Sequence, residues 1–205
     1  MRVKICGITN LEDALAACDA GADALGFVFA PEAKARNRYI EPEQARTIIE
    51  KLPPFVTTVA VCVNEPTSRL LEYAKFCDRV QLCGEERAED VARLPQDRVI
   101  KVLRAGPDFN LAAASSFPAS AYLLDAACGH GGAGAACDWT AARKAVDAGL
   151  RVILAGGLTP DNVAEAVRAV RPYAVDTSGG VESAPGKKDH DKIRRFIANA
   201  KLPVP

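Results

Sequence analysis

VKICGIT, residues Val3–Thr9, is a short apolar run that stops abruptly at Cys6-Gly7. A run of this length and character suits a strand buried on both faces. A thiol at its end, followed by Gly, sits where the backbone leaves a sheet. That is a place for chemistry, although free cysteine is among the most buried residue types and a packing role is the plain alternative. A second run, YLLD at Tyr122–Asp125, has the same form and ends in a carboxylate.

Six further apolar runs have the same strand-like character: Ala24–Phe29, Thr57–Val63, Arg79–Cys83, Val99–Leu103, Val152–Ala155 and Tyr173–Asp176. Between them the spacing turns helical. Thr9 and Glu12 have the spacing of a capping box, followed by Leu11, Ala14, Leu15 and Cys18 on one face. Pro42 opens a helix with Ala45, Ile48, Ile49 and Leu52 inward, and Asn64-Glu65-Pro66 starts one carrying Leu70, Leu71 and Phe76. Glu86–Leu94 and Leu111–Ser115 read as short helices. Asp138 can cap a helix with Ala142, Ala145 and Val146, and Thr159-Pro160 opens one with Val163, Ala166, Val167 and Val170. Asp189–Ala200 is a last amphipathic helix with Ile193, Phe196 and Ile197 inward.

The result is eight strand–helix units with no element left over. Buried parallel strands alternating with helices imply right-handed crossovers, and eight such units close into a TIM barrel. The rival is an open doubly wound sheet, which would usually carry its glycine-rich turn after the first strand. Here the glycines follow strands six, seven and eight. The reading is therefore an α/β chain, one (β/α)8 barrel domain over residues 1–205.

Composition bounds the function. At 205 residues and 49% hydrophobic content, the chain can fill one core and is short for two domains. Lys plus Arg balance Asp plus Glu at 26 each, so no basic excess points to nucleic acid. No apolar run approaches the roughly 20 residues of a membrane span. The start runs directly into a strand without a leader pattern, which predicts a cytoplasmic protein. Seven cysteines, an odd number without a C-x-x-C pair, and only two histidines, His130 and His190, give no zinc spacing. Reduced, mostly buried thiols are expected.

A barrel places its chemistry at the C-terminal ends of the strands. Those ends supply Cys6, Cys83, Asp125, Gly156-Gly157 and Asp176 with Ser178, Gly179 and Gly180. The charged loop APEAKARNRY, Ala30–Tyr39, adds Arg36 and Arg38. Glycines after strands seven and eight, with a short helix start, form a nest of backbone N–H groups for a phosphate, the alternative being that they merely turn the chain. A thiol of pKa about 8.5 and a carboxylate of about 4 become base and acid if their surroundings move them. Cys6 and Asp125 come from strands far apart in barrel order and could face each other across the mouth. His130 lies in the Gly-rich stretch Ala126–Ala136 and reads as solvent-facing or close to substrate, not essential.

Together these residues resemble the phosphoribosylanthranilate isomerase family of tryptophan biosynthesis. The resemblance is carried by KICGIT at Lys4–Thr9, VQL at Val80–Leu82, LLD at Leu123–Asp125, G-x-G at Gly132–Gly134, and Asp138-Trp139. It continues through LAGGL at Leu154–Leu158, Asn162-Val163, V-D-x-S at Val175–Ser178, GVE at Gly180–Glu182 and P-G-x-K-D at Pro185–Asp189. It runs from end to end; KICGIT with LLD is specific, whereas AGGL alone is shared by related phosphate-binding barrels.

The resemblance implies a barrel of the ribulose-phosphate-binding type and a cofactor-free Amadori rearrangement. N-(5-phosphoribosyl)anthranilate becomes 1-(2-carboxyphenylamino)-1-deoxyribulose 5-phosphate. Asp125 would be the acid that opens the ribose ring and Cys6 the base that removes the C2 proton. It also implies a small phosphorylated substrate as partner, with no nucleic acid, no membrane and no metal, in a monomer or homodimer. Three departures stand out. The family's Ser before its anthranilate-contacting Arg is missing, and Arg38 aligns with that Arg after a small insertion, Arg36 being the alternative. Cys83 stands where the family often has His, and Gly179 where it has a second Ser.

Two other readings compete. Another sugar-phosphate barrel enzyme is one, but a metal-dependent epimerase needs His and acidic ligands at strand ends. The histidine-pathway isomerase would bring half-repeats and Asp at both catalytic positions. The other is a non-catalytic phosphate-binding or thiol-sensing module.

Overall fold

The computed structural model describes residues 1–105, 110–126 and 139–203. His130, Cys128, Cys137, the Gly132–Gly134 motif and Asp138 lie outside the described residues. Eight parallel strands form a closed barrel in sequence order: β1 (Arg2–Cys6), β2 (Ala24–Val28), β3 (Thr57–Cys62), β4 (Arg79–Leu82), β5 (Val99–Ala105), β6 (Ala121–Ala126), β7 (Val152–Ala155) and β8 (Ala174–Thr177). The seam is the pairing of β1 with β8, Arg2 with Ala174 through Ile5 with Thr177. Helices α1 (Leu11–Asp19), α2 (Pro42–Ile49), α3 (Thr67–Tyr73), α4 (Leu111–Ser116), α5 (Thr140–Asp147) and α6 (Val163–Val170) lie in the connections other than that from β4 to β5, which holds only 3-10 turns, and α7 (His190–Ala200) follows β8. A small antiparallel hairpin, β9 (Glu182–Ala184) and β10 (Lys187–Lys188), precedes α7.

Alternation along each strand divides the core into two layers. Val3 and Ile5 of β1, Leu25 and Phe27 of β2, and Leu124 of β6 face the helices. Cys6, Val59, Val61, Ile100, Leu123 and Ile153 belong to a separate cluster that fills the barrel interior. Ala121 and Leu123 face inward, so Asp125, two residues on, takes the same face at the top of β6. This alternation turns two strand-end residues into groups aimed at one mouth.

Most strand ends shift by a residue or two, and three helices depart from the sequence reading for reasons their side chains show. The cap of α1 is Asn10, whose Oδ1 accepts from the Asp13 N–H at 2.8 Å while its Nδ2 donates to Asp13 Oδ2 at 2.9 Å. Thr9 is drawn away, its hydroxyl donating to the Gly186 carbonyl at 3.4 Å, so no Thr9–Glu12 box forms. The helix expected over Glu86–Leu94 shrinks to a 3-10 turn at Ala88–Val91. Glu86 cannot open a helix because its carboxylate turns inward: it receives the N–H groups of Asn64 and Gly84 and the Lys101 ammonium. Finally, α6 starts at Val163, not at Thr159-Pro160. Asn162 Oδ1 accepts from the Thr159 N–H at 2.8 Å and its Nδ2 reaches the Gly157 carbonyl at 3.1 Å, which closes the residues between into a tight loop.

Among the described residues no helix is long and apolar enough to cross a membrane.

Candidate active site

The C-terminal mouth of the barrel opens into a cavity of about 980 Å³, near the upper end of the usual range for small-molecule sites. Cys83, Lys101, Asp125, Gly156-Gly157, Asp176 and Ser178–Gly180 line it, with Arg36 and Arg38 at one side. Cys6 does not line that cavity. It is buried, 8% exposed, at the end of the inner layer of the barrel. Space for its thiol comes from β2, where a Cβ on Gly26 would stand only 2.8 Å from Cys6 Sγ. Asp125 is exposed at the mouth, registered beside Arg104 of β5 and Ala155 of β7.

The glycine turns after β7 and β8 join into one cradle. Gly156 and Gly157 have φ of 91° and 66°, a left-handed conformation that side chains rarely adopt. Gly180 lies so close to the other loop that a Cβ there would stand 1.9 Å from the Leu158 carbonyl oxygen. Gly179 and Gly180 open the 3-10 turn Gly179–Val181, so their N–H groups are the ones a helical turn leaves without internal partners. Bare N–H groups at such a start attract an anion.

Ser178 is not part of that cradle in the way a hydroxyl donor would be. Its Oγ lies 3.5 Å from Glu182 Oε1 and 3.4 Å from Lys188 Nζ. Those two charges belong to a network that the sequence reading quoted only as motif letters. Arg38 donates from Nε to Glu182 Oε1 at 2.9 Å and from Nη2 to Oε2 at 2.7 Å, and Lys188 Nζ adds a third bond at 2.9 Å. Burial pushes the Glu182 carboxyl up, but these three donors outweigh it and hold it below the ordinary range. Burial pulls Lys188 below the ordinary lysine range, with Glu182 opposing. The pair fixes the Arg38 stem over Gly7 and its Nη2 beside Gly179.

On the opposite wall Cys83 accepts from Gln81 Nε2 at 3.4 Å. Burial pushes the Cys83 thiol up to about 12, against the Gln81 hydrogen bond, so it stays neutral. Lys101 of β5 reaches Glu86 Oε2 and the Gly84 carbonyl, each at 2.7 Å, and pins the loops after β3 and β4. Beneath the mouth, Lys4 of β1 meets Asp176 of β8 at 2.9 Å. The sequence reading assigns no part in the site to Lys4, Lys101, Glu86, Glu182 or Lys188, whose ion pairs order its walls. The signal was present for two of them: Lys4 and Lys101 are charged residues inside apolar strand runs, which bury a charge only with a partner. Among the described residues no group of three or more His, Cys, Asp or Glu could hold a metal ion.

The cradle can be tested by charge. Gly179→Asp places a carboxylate beside the bare N–H groups, within reach of Arg38 Nη2, which stands 2.8 Å from the new Cβ position. The expected outcome is a several-fold or larger rise in KM with a smaller change in kcat, because the added charge repels a phosphate. An unchanged KM in the folded variant places the phosphate elsewhere.

Comparison with known proteins adds independent findings. A family model described as N-(5'phosphoribosyl)anthranilate (PRA) isomerase matches residues 3–199. The curated N-(5'-phosphoribosyl)anthranilate isomerase of Pelobacter propionicus is 53% identical to this chain, over 98% of the chain and 96% of the relative. The crystal structure of phosphoribosyl anthranilate isomerase from Thermotoga maritima superposes with a TM-score of 0.88 at 46% identity, covering 98% of both chains. Another solved isomerase, in complex with reduced 1-(o-carboxyphenylamino)-1-deoxyribulose 5-phosphate, gives 0.85 at 45% identity, again over 98% of both chains.

Proposed function

The chain belongs to the N-(5'-phosphoribosyl)anthranilate isomerase family, and from that premise we propose that it carries out the Amadori rearrangement with Cys6 as general base and Asp125 as general acid. The observation that carries this reading is the placement of the two groups. They stand on the inner faces of β1 and β6, strands on different sides of the barrel, next to a phosphate cradle built from the loops after β7 and β8.

The substrate phosphate rests on the N–H groups of Gly157, Gly179 and Gly180, which fixes the ribose across the mouth. Asp125 gives a proton to the ring oxygen, the C1–O bond breaks, and the nitrogen lone pair forms the Schiff base. The Cys6 thiolate takes the proton from C2, and the electron pair of that bond moves into C1 and the nitrogen to give the enolamine. Loss of the hydroxyl proton at C2 and protonation of C1 complete the aminoketose. Substrate and product are isomers: C1 is reduced as C2 is oxidised, so the electron balance closes within the substrate. Asp176 faces the same cavity and offers a carboxylate to a sugar hydroxyl.

Arg38 takes the anthranilate carboxylate. Glu182 occupies its Nε–Nη2 edge, and Nη1 has no hydrogen bond to any described residue, so the Nη1–Nη2 edge is the fork offered to substrate. Arg36 ends the exposed 3-10 turn Pro31–Arg36 without such a support. Arg38→Ala is expected to raise KM more than Arg36→Ala does in steady-state assays. The reverse order would move the carboxylate contact to Arg36.

Turnover itself separates an enzyme from a phosphate-binding or thiol-sensing module. Incubation with freshly made phosphoribosylanthranilate is expected to quench its anthranilate-type fluorescence at a rate proportional to enzyme concentration. Phosphate affinity and thiol reactivity without fluorescence decay would defeat the catalytic reading.

A further inference from the structure

Lys4 is a charge buried in the barrel interior beneath Asp176 that the steps above leave unused. It precedes Cys6 by two residues on β1, so both side chains enter the barrel interior. Lys4 is 3% exposed. Its register partner on β8 is Asp176, and Nζ meets Asp176 Oδ1 at 2.9 Å. On its other side the ammonium shares the gap above Gly26 with the thiol: a Cβ there would lie 2.8 Å from Cys6 Sγ and 3.1 Å from Lys4 Nζ. Lys4 thus has Asp176 as its hydrogen-bonded partner and the Cys6 thiol as its neighbour across that gap. Burial pulls the ammonium down, but Asp176 and Cys6 outweigh that and hold it above the ordinary lysine range. Lys4 therefore stays a cation throughout the working pH range.

We propose that Lys4 is a positioning residue for the isomerisation, its buried ammonium holding the Cys6 thiolate and the Asp176 carboxylate side by side in the barrel interior. The inference rests on reading Cys6 as the base. A thiolate in a mostly apolar barrel interior is costly unless a cation offsets its lost hydration. Among the described residues, Cys83 past the end of β4 and Lys188 on β10 also interact electrostatically with Cys6. Cys83 stays a neutral thiol, and Lys188 is tied to Glu182 at 2.9 Å. Lys4 also uses only Oδ1 of Asp176. Oδ2, which has no hydrogen bond to any described residue, is left for substrate in the cavity that Asp176 lines. No bond to Lys4 forms or breaks, and it keeps its proton throughout.

The test reads the thiol directly. Lys4→Met removes the charge with little loss of volume. Because it leaves Asp176 unpaired and can fail to fold, the double variant Lys4→Met/Asp176→Asn is made beside it. Alkylation of the Cys6 peptide by iodoacetamide is followed across pH by mass spectrometry in the free enzyme, alongside the pH profile of kcat/KM. At neutral pH the Cys6 alkylation rate should fall about tenfold or more in folded Lys4→Met, and by a smaller factor in the double variant, where loss of the Asp176 charge offsets part of the loss of the ammonium, with the rise moved to higher pH in both. The acidic limb of kcat/KM should move with it, a displacement that a purely structural lysine would not produce. An unchanged Cys6 alkylation profile in a folded variant overturns the role of Lys4 while leaving Cys6 as base. Full kcat in Cys6→Ser overturns the base, and with it any catalytic use of Lys4.

Discussion

Cys6→Ser is expected to keep the circular-dichroism spectrum of the native barrel and to lower kcat by about 10²–10⁴-fold, the range for loss of one general base. The substitution exchanges one atom for a smaller one in the gap above Gly26, where a Cβ would already stand 2.8 Å from Sγ, so packing is not the cause of the loss. The cause is that a serine hydroxyl does not ionise near neutral pH, whereas a thiol of pKa about 8.5 in water does so with modest help. Iodoacetamide should inactivate the native enzyme, and a bound product analogue should protect it. Near wild-type kcat in Cys6→Ser would make Cys6 a member of the inner packing layer and send the search for the base elsewhere.

Asp125→Asn should fall by a similar factor of about 10²–10⁴ for a different reason. An amide cannot release a proton to the ring oxygen, so ring opening stalls while phosphate contacts survive. Binding of a product analogue, measured by fluorescence titration, should stay within a few-fold of native. The pH profile supplies the sharper reading. If the two groups act as proposed, kcat/KM is expected to be a bell, its rising limb set by the base and its falling limb by the acid. In Asp125→Asn the residual activity should keep the rising limb and lose the falling one. A falling limb that persists at the same pH would assign it to another group and remove Asp125 as the acid.

Much of this architecture was legible because parallel barrel strands are buried on both faces and announce themselves as short apolar runs. Val152–Ala155 was placed to the residue, and Cys6 and Asp125 at their strand ends. The errors arose where a side chain had to choose between local and distant partners. Thr9 has a capping geometry available nearby, yet its hydroxyl bonds to Gly186, a residue far along the chain. Glu86 looks like the first acidic residue of a helix, yet Lys101 on the next strand draws it inward. The same blindness hid the Arg38–Glu182–Lys188 network, whose members come from the β2–α2 connection, β9 and β10. Periodicity reports neighbours along an element; it carries no information about which charge will meet which across the mouth. Lys4 is the instructive omission, since it was quoted as a motif letter when its position inside an apolar strand already required a buried counter-charge.

The seam between β1 and β8 has a consequence for synthesis. During translation the first strand leaves the ribosome long before its lateral partner exists, and Arg2–Ile5 stay without β8 until residue 177 has emerged. The clasp beyond the seam is later still, since the Asp13 carboxylate receives the Lys188 N–H at 3.2 Å and contacts His190 Nε2 at 2.8 Å. Joining ends so distant carries a loop-closure cost that no local contact can offset in advance. A nascent chain can thus hold most of its strands and still present an open edge, with Lys4 wet and Asp176 not yet made. Chain closure and the meeting of Lys4 with Asp176 are one event, and it waits for β8 to emerge.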